Sequence, residues 1–257
     1  MLRRQAVPTR CVGPGPRVSR PDMANAARTV AEGFEGFADR QGRFFRALAR
    51  NQTREWFALH RAKYEEGWLA PMKALLSDVR ERIDPLFPRL PLAAPKVFRI
   101  HRDIRFSRDK SPYKTHVGGY VAVDGAGTAP AAPIAVYVHV SATEIFAAAG
   151  HYMMDGPQLA RFREALLDDA RGTALAGILK RLERAGFTVG SRETLARVPR
   201  GFDRDHPRAD LLRRKGLTAH FPGPPRELLV SPRFVDWLVA HVRRTVPLVE
   251  WLASLGD

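Results

Sequence analysis

Apolar side chains recur at helical spacing through the first third of the chain. Phe44, Phe45 and Leu48 fall on one side of a predicted helix. The polar run Asn51-Gln52-Thr53 interrupts the pattern and supplies cap residues for a second helix, and Pro71 suits the first turn of a third segment. The second and third segments carry their periodic positions at Phe57, His60, Tyr64 and Trp68, and at Met72, Leu75, Leu76, Val79 and Ile83.

The pattern changes to alternation in the middle of the chain. Residues 96–106 place apolar side chains on one face and charged ones on the other, which predicts a half-buried strand. Further runs at 117–123, 134–140 and 144–152 predict three more strands, and their short connections favour an antiparallel meander. The two faces of the first predicted strand are Phe98, Ile100, Ile104 and Phe106 on one side, and Arg99, His101, Asp103 and Arg105 on the other.

Helical spacing returns in the last third. Asp155-Gly156-Pro157 has the composition of a helix start, Gly186 that of a helix end, and Pro247 predicts a kink or restart in the last helix. Helices, then a sheet, then helices are typical of the α+β class. We predict one α+β domain over residues 29–257, with an antiparallel sheet of about four strands packed with N- and C-terminal helices.

The first 28 residues differ from the rest in composition. They are rich in Arg, Pro and Gly without apolar periodicity, which predicts a disordered basic tail, and they lack the apolar segment of a secretory signal. One hypothesis is that translation starts at Met23 and that residues 1–22 are not native. The single cysteine, Cys11, excludes an internal disulfide and a Cys-rich zinc site, which fits a cytoplasmic location.

The net charge narrows the classes of partner. The chain has 42 Lys and Arg against 27 Asp and Glu, a formal net charge of +15, which favours phosphates or nucleic acid. A GC-rich genome would also produce this bias, because only seven of the basic residues are Lys. No run approaches the roughly 20 apolar residues of a membrane-spanning helix, so we expect no membrane partner.

A candidate anion site lies on the polar face of the first predicted strand. Arg99 and Arg105 offer forked donors suited to phosphate or carboxylate, beside His101 and Asp103. His139, together with Tyr137, faces away from the valines of the third predicted strand and would share this surface. The alternative interpretation is a solvated sheet face with Arg–Asp pairs that contribute little to stability.

The turn after that strand adds further basic side chains. Lys110, Tyr113 and Lys114 could bind a phosphate together with loop amides, although the loop has no Walker glycine pattern. Arg102 occupies a position expected to be apolar. We predict that it forms a structural ion pair, with Asp109 as the first candidate partner.

The segment PRGFDRDHP is a second polar cluster. Arg200, Asp203, Asp205 and His206 could join the strand site in one composite pocket, and the two carboxylates with the histidine could also hold a divalent metal or position a general base. The same residues are also typical of a polar turn before a helix, since Asp205 could cap a helix that begins at Pro207. We favour the turn over a metal and predict no metal ligands.

Three segments together resemble a known family. They are NQTREWFALHRAKYEEGWLAPMKALL, FRIHRDIRFSRDKSPYKTH and PRGFDRDHPRADLLRRKGL, and the similarity extends over residues 34 to about 253. The family is the uncharacterised domain of unknown function 2461. The resemblance implies an α+β domain and brings no activity, cofactor or catalytic residue.

The leading functional hypothesis is a binding site for a small ligand that carries a phosphate or a carboxylate. The alternatives are a hydrolase or transferase acting on a phosphorylated compound, a nucleic-acid-binding protein, which is less favoured, and a purely structural charge network. The GxSxG, HExxH and GxGxxG motifs are absent. Catalytic residues, cofactor and oligomeric state therefore stay open.

Overall fold

The computed structural model describes residues 33–105, 108–123 and 132–256. The predicted tail, with Met23 and Cys11, lies outside the described residues, as do Phe106 and the Asp124-Gly125 turn. The described helices and strands belong to one compact unit, Glu32–Asp257. The architecture is α+β with an antiparallel sheet, which confirms the predicted fold class.

The N-terminal helices form one short element and one long one. Helix α1 spans Arg43–Arg50 and helix α2 spans Arg54–Tyr64. Thr53 caps the start of α2, because its hydroxyl accepts a hydrogen bond from the Trp56 amide. A π-helical turn, Glu65–Leu69, joins α2 directly to α3, Ala70–Ile83, and a 3₁₀ turn, Asp84–Leu86, follows. The second and third predicted helices are therefore continuous.

The π-helical turn accommodates Pro71 within this continuous helix. Proline has no amide hydrogen, so it leaves the carbonyl four residues earlier, that of Gly67, without its α-helical donor. The Ala38 amide donates to the Gly67 carbonyl instead, at 3.0 Å. A proline that the sequence pattern placed at a helix start thus lies inside a helical path, because another segment satisfies the released acceptor.

Across the described ranges the sheet has six strands, in the order β1-β2-β3-β4-β6-β5, and all neighbours are antiparallel. Strands β2, β3 and β4 correspond to three of the predicted strands, whereas the short β5 and β6 add to the expected four. The strands span Lys96–Val97 (β1), His116–Ala122 (β2), Ile134–Ser141 (β3), Ile145–His151 (β4), Thr188–Gly190 (β5) and Leu217–His220 (β6).

The first predicted strand, 96–106, is wrong beyond Val97. The Phe98 amide still donates to the Gly118 carbonyl at 2.9 Å, but the Lys114 amide donates to the Ile100 carbonyl at 2.8 Å. Between these two bonds the segment that leads into β2 covers four residues, from Lys114 to Gly118. The segment that follows β1 covers only two, from Phe98 to Ile100. The ladder is therefore irregular, and the alternation of the two faces breaks down.

The C-terminal helices complete a layer on one face of the sheet. They span Gly156–Leu167 (α4), Asp169–Arg184 (α5), Ala209–Leu212 (α6) and Arg233–Ala253 (α7), with a 3₁₀ turn at Arg226–Val230. Helix α7 packs against α3, α5, β3 and β4, while α3 packs on β2 and α5 on β5. The valines of β2 and β3 face this layer and are nearly inaccessible to solvent. Helix α7 is continuous through Pro247.

Candidate functional site

The sheet face opposite the helix layer, called the open face below, carries a band of aromatic side chains. Because side chains alternate along a strand, the β2–β3–β4 register brings partners of the same face into lateral rows. One row runs from Gly118 to His139 and Phe146, and the next from Tyr120 to Tyr137 and Ala148. The second row continues to His220 on β6.

A hollow of about 340 Å³ lies in this open face. Small residues, Ala135, Ala148 and Gly150, form part of its lining, so the neighbouring rings stand above them. The ring of Phe98 lies 5.5 Å from that of Tyr120 and 6.1 Å from that of Tyr137. The other lining residues are Ala132, Pro133, Phe146, Ala149, Tyr152, Thr218 and His220.

Gly118 sets how closely one of these rings approaches the sheet. A Cβ atom at Gly118 would lie 2.8 Å from the Tyr137 hydroxyl oxygen, closer than real Cβ contacts allow. The absence of a side chain therefore lets the Tyr137 ring lie across β2. Burial raises the pKa of Tyr137 to about 12, so the hydroxyl is neutral at physiological pH.

Two histidines stand side by side at one end of the hollow. The rings of His116 and His139 are 4.3 Å apart, and His139 also stacks on Phe146 at 4.7 Å. The Tyr137 hydroxyl is hydrogen-bonded to Nδ1 of His139 at 3.1 Å. Burial lowers the pKa of each histidine to about 4, and for His116 the neighbouring His139 and Lys114 add to this effect. Both imidazoles are therefore neutral at physiological pH.

Three cations lie together at the edge of the open face, and this group is called the basic edge. Lys114 Nζ lies 5.3 Å from the centre of the Phe98 ring and donates a hydrogen bond to the Arg99 carbonyl at 3.0 Å. Burial lowers the pKa of Lys114, and the charges of Arg99 and Arg102 lower it further. Positive charge thus exceeds negative charge beside the hollow.

Arg102 is the one member of the basic edge that forms an ion pair in the described part of the chain. Its Nη2 lies 3.2 Å from Asp109 Oδ2, and its side chain is 27% exposed. The same guanidinium donates to the Tyr113 carbonyl at 3.4 Å. Its Nε atom is buried and has no hydrogen-bond partner among the described residues. These contacts fasten the turn to the segment that follows β1.

The other residues named in this segment have structural contacts. Tyr113 is buried and stacks on Phe57 at 4.4 Å, so it belongs to the core. Asp103 accepts two hydrogen bonds from the Arg105 guanidinium, and these bonds lower its pKa. Lys110 Nζ donates to the Ile104 carbonyl at 2.8 Å.

His101 and Arg99 line a second hollow, called the helix groove. It has a volume of about 580 Å³ and lies between the 95–101 segment and the continuous helix α2–α3. Lys73 and Arg61 contribute further cations, and Arg61 lies 3.7 Å from Glu65 in an ion pair. Of the residues predicted for the polar strand face, Arg99 and His101 therefore line the helix groove, whereas Asp103 and Arg105 line neither hollow.

The PRGFDRDHP segment lies near helices α4 and α5, and α5 packs on the edge strand β5. Arg208, directly after it, donates to the Leu166 carbonyl at 2.8 Å and to Thr173 Oγ1 at 3.0 Å, which ties the segment to α4 and α5. Strand β1 lies at the opposite edge of the six-stranded order. The structure therefore does not join this segment to Arg99 in the composite pocket that the sequence suggested.

Within the segment, the contacts are those of a turn. Asp203 Oδ1 accepts a hydrogen bond from the Asp205 amide at 2.9 Å. His206 Nδ1, rather than Asp205, accepts from the Arg208 amide before α6, so the expected Asp205 cap is wrong. Arg200 is exposed. In the described part of the chain no three His, Cys, Asp or Glu side chains converge as a metal ion requires.

Several residues of the open face were missed by reasoning from the sequence. Phe98 was assigned to the apolar face of the first predicted strand, yet it lines the hollow, as His220 does. Phe146 had no role. The alternation in β3 already assigned Tyr137 and His139 to this face. To assign residues of β4 and β6 to the same face, one must know how these strands pair with their neighbours, and only the structure provides that register.

Comparison with known proteins identifies a family and no characterised relative. Residues 41–251 match the family model described as conserved hypothetical protein, DUF2461, so the chain belongs to that family. No curated protein and no solved structure matches the chain. In the described residues, no helix combines the length and the apolar character needed to cross a membrane.

Proposed function

We propose that this DUF2461 protein binds a small ligand that carries a phosphate or a carboxylate. The anionic group contacts Lys114 at the basic edge, and the remainder of the ligand enters the hollow of the open face. The observation that carries this proposal is the position of Lys114, whose Nζ lies 5.3 Å from the centre of the Phe98 ring, a ring that lines both this hollow and the helix groove.

The charge balance of the basic edge supports an anionic ligand. Neither Arg99 nor Lys114 lies within 4.0 Å of an acidic group in the described residues, whereas Arg102 does. A partly buried cation without a counter-ion is costly because burial removes its hydration. An anion at this position would offset that cost and would restore the pKa of Lys114 towards its ordinary value.

The two histidines support the same placement. His116 lies close to Lys114, and its ring lies 4.3 Å from that of His139. Both imidazoles are neutral at physiological pH, so their ring nitrogens can donate to or accept from a ligand. A bound anion also favours protonation of a neighbouring imidazole. We therefore expect the affinity to increase as the pH decreases from 7 towards 5, together with proton uptake on binding.

The test is a titration of the ¹⁵N-labelled protein with inorganic phosphate and with acetate at constant ionic strength. We expect the amide resonances of Lys114 and His116 to shift. Lys114→Gln should weaken phosphate binding by a factor of roughly 10 to 150, because it removes a charge-assisted hydrogen bond that contributes roughly 1.5–3 kcal/mol. Thermal unfolding of the variant checks that it folds.

Lys73→Gln is the matched control, because it removes an exposed lysine from the helix groove and leaves the open face intact. Its affinity for phosphate should stay within about twofold of the wild-type value, the range expected for a screened distant charge. If Lys73→Gln weakens binding and Lys114→Gln does not, the anion site is the helix groove and the proposal is wrong.

A further inference from the structure

The lining of the hollow suggests what kind of group the ligand places there. Phe98, Tyr120, Tyr137 and Phe146 present rings on a sheet face that the helix layer does not cover, and Phe98 is 38% exposed. Aromatic side chains on an uncovered antiparallel sheet provide surfaces on which planar rings stack. A flat group gains more contact here than a flexible chain does, because it covers several rings at once.

The polar atoms of the hollow favour a ring that contains heteroatoms. His220 lines the hollow, and neither of its ring nitrogens is hydrogen-bonded within the described residues. The Tyr120 hydroxyl likewise has no hydrogen-bond partner there. Burial lowers the pKa of His220, so its imidazole offers one donor and one acceptor at physiological pH. A carbocyclic ring would leave these groups without partners.

The size of the hollow and the position of Lys114 connect the ring to the anion. A volume of about 340 Å³ lies at the lower end of small-molecule sites and suits one ring system with a sugar. Phe98 lines the hollow, and Lys114 Nζ lies 5.3 Å from the centre of its ring. A ligand with a planar heteroaromatic ring and an anionic group a few bonds away therefore reaches both.

We infer that the occupant of the hollow is a nucleoside monophosphate. Its base stacks on the uncovered side of the Phe98, Tyr120, Tyr137 and Phe146 rings, His220 and Tyr120 contact the edge of the base, and its phosphate meets Lys114. This inference rests on the proposed function, because it assigns the ligand class of the same site. Ala132, Pro133 and Tyr152 border the hollow, and this favours a single nucleotide over a nucleic-acid strand.

The experiment compares four probes by calorimetry and NMR: AMP, adenosine, ribose 5-phosphate and a short single-stranded oligoadenylate. AMP should bind at least about tenfold more tightly than ribose 5-phosphate, as expected for a stacked base. In the wild-type protein the methyl resonances of Ala135 and Ala148 should shift with AMP and with adenosine, and not with ribose 5-phosphate. This ring-current effect requires no variant.

Phe146→Leu tests the stacking surface, since leucine keeps the site apolar while removing the ring. This variant should bind AMP about fivefold to tenfold more weakly than the wild-type protein does, and its affinity for ribose 5-phosphate should be unchanged. Phe202→Leu is the matched control, because Phe202 is a partly buried ring packed under Arg163, away from the open face. Lys114→Gln should weaken the binding of both AMP and ribose 5-phosphate.

Three outcomes would overturn the inference in distinguishable ways. If ribose 5-phosphate binds as tightly as AMP, the base is not recognised while the proposed anion site stands. If neither AMP, ribose 5-phosphate, inorganic phosphate nor acetate binds, the proposed function fails as well. If the oligoadenylate binds more than about tenfold tighter than AMP with strong salt dependence, the occupant is a nucleic-acid strand.

Discussion

Tyr137 illustrates how one side chain depends on the absence of another. Its hydroxyl oxygen lies 2.8 Å from the place that a Cβ atom at position 118 would occupy, and it is hydrogen-bonded to His139. Gly118 has no positive φ that would require glycine, so the space and not the backbone conformation explains the residue. The position of the ring on the open face is therefore set by a neighbouring strand.

Gly118→Ala should destabilise the protein by about 1–3 kcal/mol, because the new methyl group overlaps with the Tyr137 hydroxyl. The double variant Gly118→Ala/Tyr137→Phe should recover part of this loss, since the overlapping oxygen is removed. Urea unfolding of the two single variants and the double variant measures the coupling. If the losses in the free energy of unfolding are strictly additive, the methyl group at position 118 does not overlap with the Tyr137 hydroxyl, and the explanation given for Gly118 is wrong.

At the scale of elements, the turn after the β1 segment is held by the N-terminal region of α2. The Tyr113 amide donates to Gln52 Oε1 at 3.1 Å, and the Tyr113 ring stacks on Phe57. Gln52 precedes the Thr53 cap of α2, so one short polar run both starts a helix and fixes a distant turn. The basic edge depends on this link, because Lys114 is the next residue.

Gln52→Ala should leave the Tyr113 amide without its acceptor, at a cost of about 1–3 kcal/mol. We expect faster hydrogen exchange at the amides of Tyr113 and Lys114 and little change in β3. Asn51→Ala is the control, because within the described residues the Asn51 side chain donates to the Ala47 carbonyl of its own helix end and to nothing in the distant turn. Equal acceleration in both variants would indicate general fraying of α1 and α2 instead.

For the whole molecule, the sheet histidines make stability depend on pH. Burial lowers the pKa of four histidines on β2, β3, β4 and β6, namely His116, His139, His151 and His220. The groups that act on His116 are His139, Lys114 and Arg102, which disfavour its protonation, and Glu144, which favours it. Tyr137 contacts His139, whereas Asp155 favours protonation of His151.

We expect the free energy of unfolding to fall as the pH decreases from 6.5 to about 4. In this window the unfolded chain takes up protons at these histidines and the folded protein does not, so acid favours unfolding. His139→Phe keeps a ring against Phe146 and should reduce the slope by up to about 1.4 kcal/mol per pH unit. Denaturant unfolding at several pH values measures it.

Tyr137→Phe is the control for that series, because it removes the hydrogen bond to His139 and keeps the imidazole. It should lower stability by about 1 kcal/mol at every pH and retain most of the slope. A wild-type profile that is flat between pH 6.5 and 4 would contradict the assignment of neutral, buried histidines to the open face.

Local periodicity was sufficient for most elements. The helical spacing around Phe44 and Met72 and the alternation in 134–140 depend only on which side chains must be buried, and the structure agrees with them. The first strand was predicted too long, because alternation alone does not show whether a partner strand keeps its register. Strands β5 and β6 are too short to produce a pattern.

The sequence by itself determined the α+β class, the family and the charge of the segment from Arg99 to His116, because these follow from residue type and local spacing. Only the tertiary structure decided which of those residues meet. The sheet order separates the PRGFDRDHP turn from Arg99, and the register gathers Tyr137, Phe146 and His220 on one face. Such neighbours arise from pairing between distant strands, which no local pattern encodes.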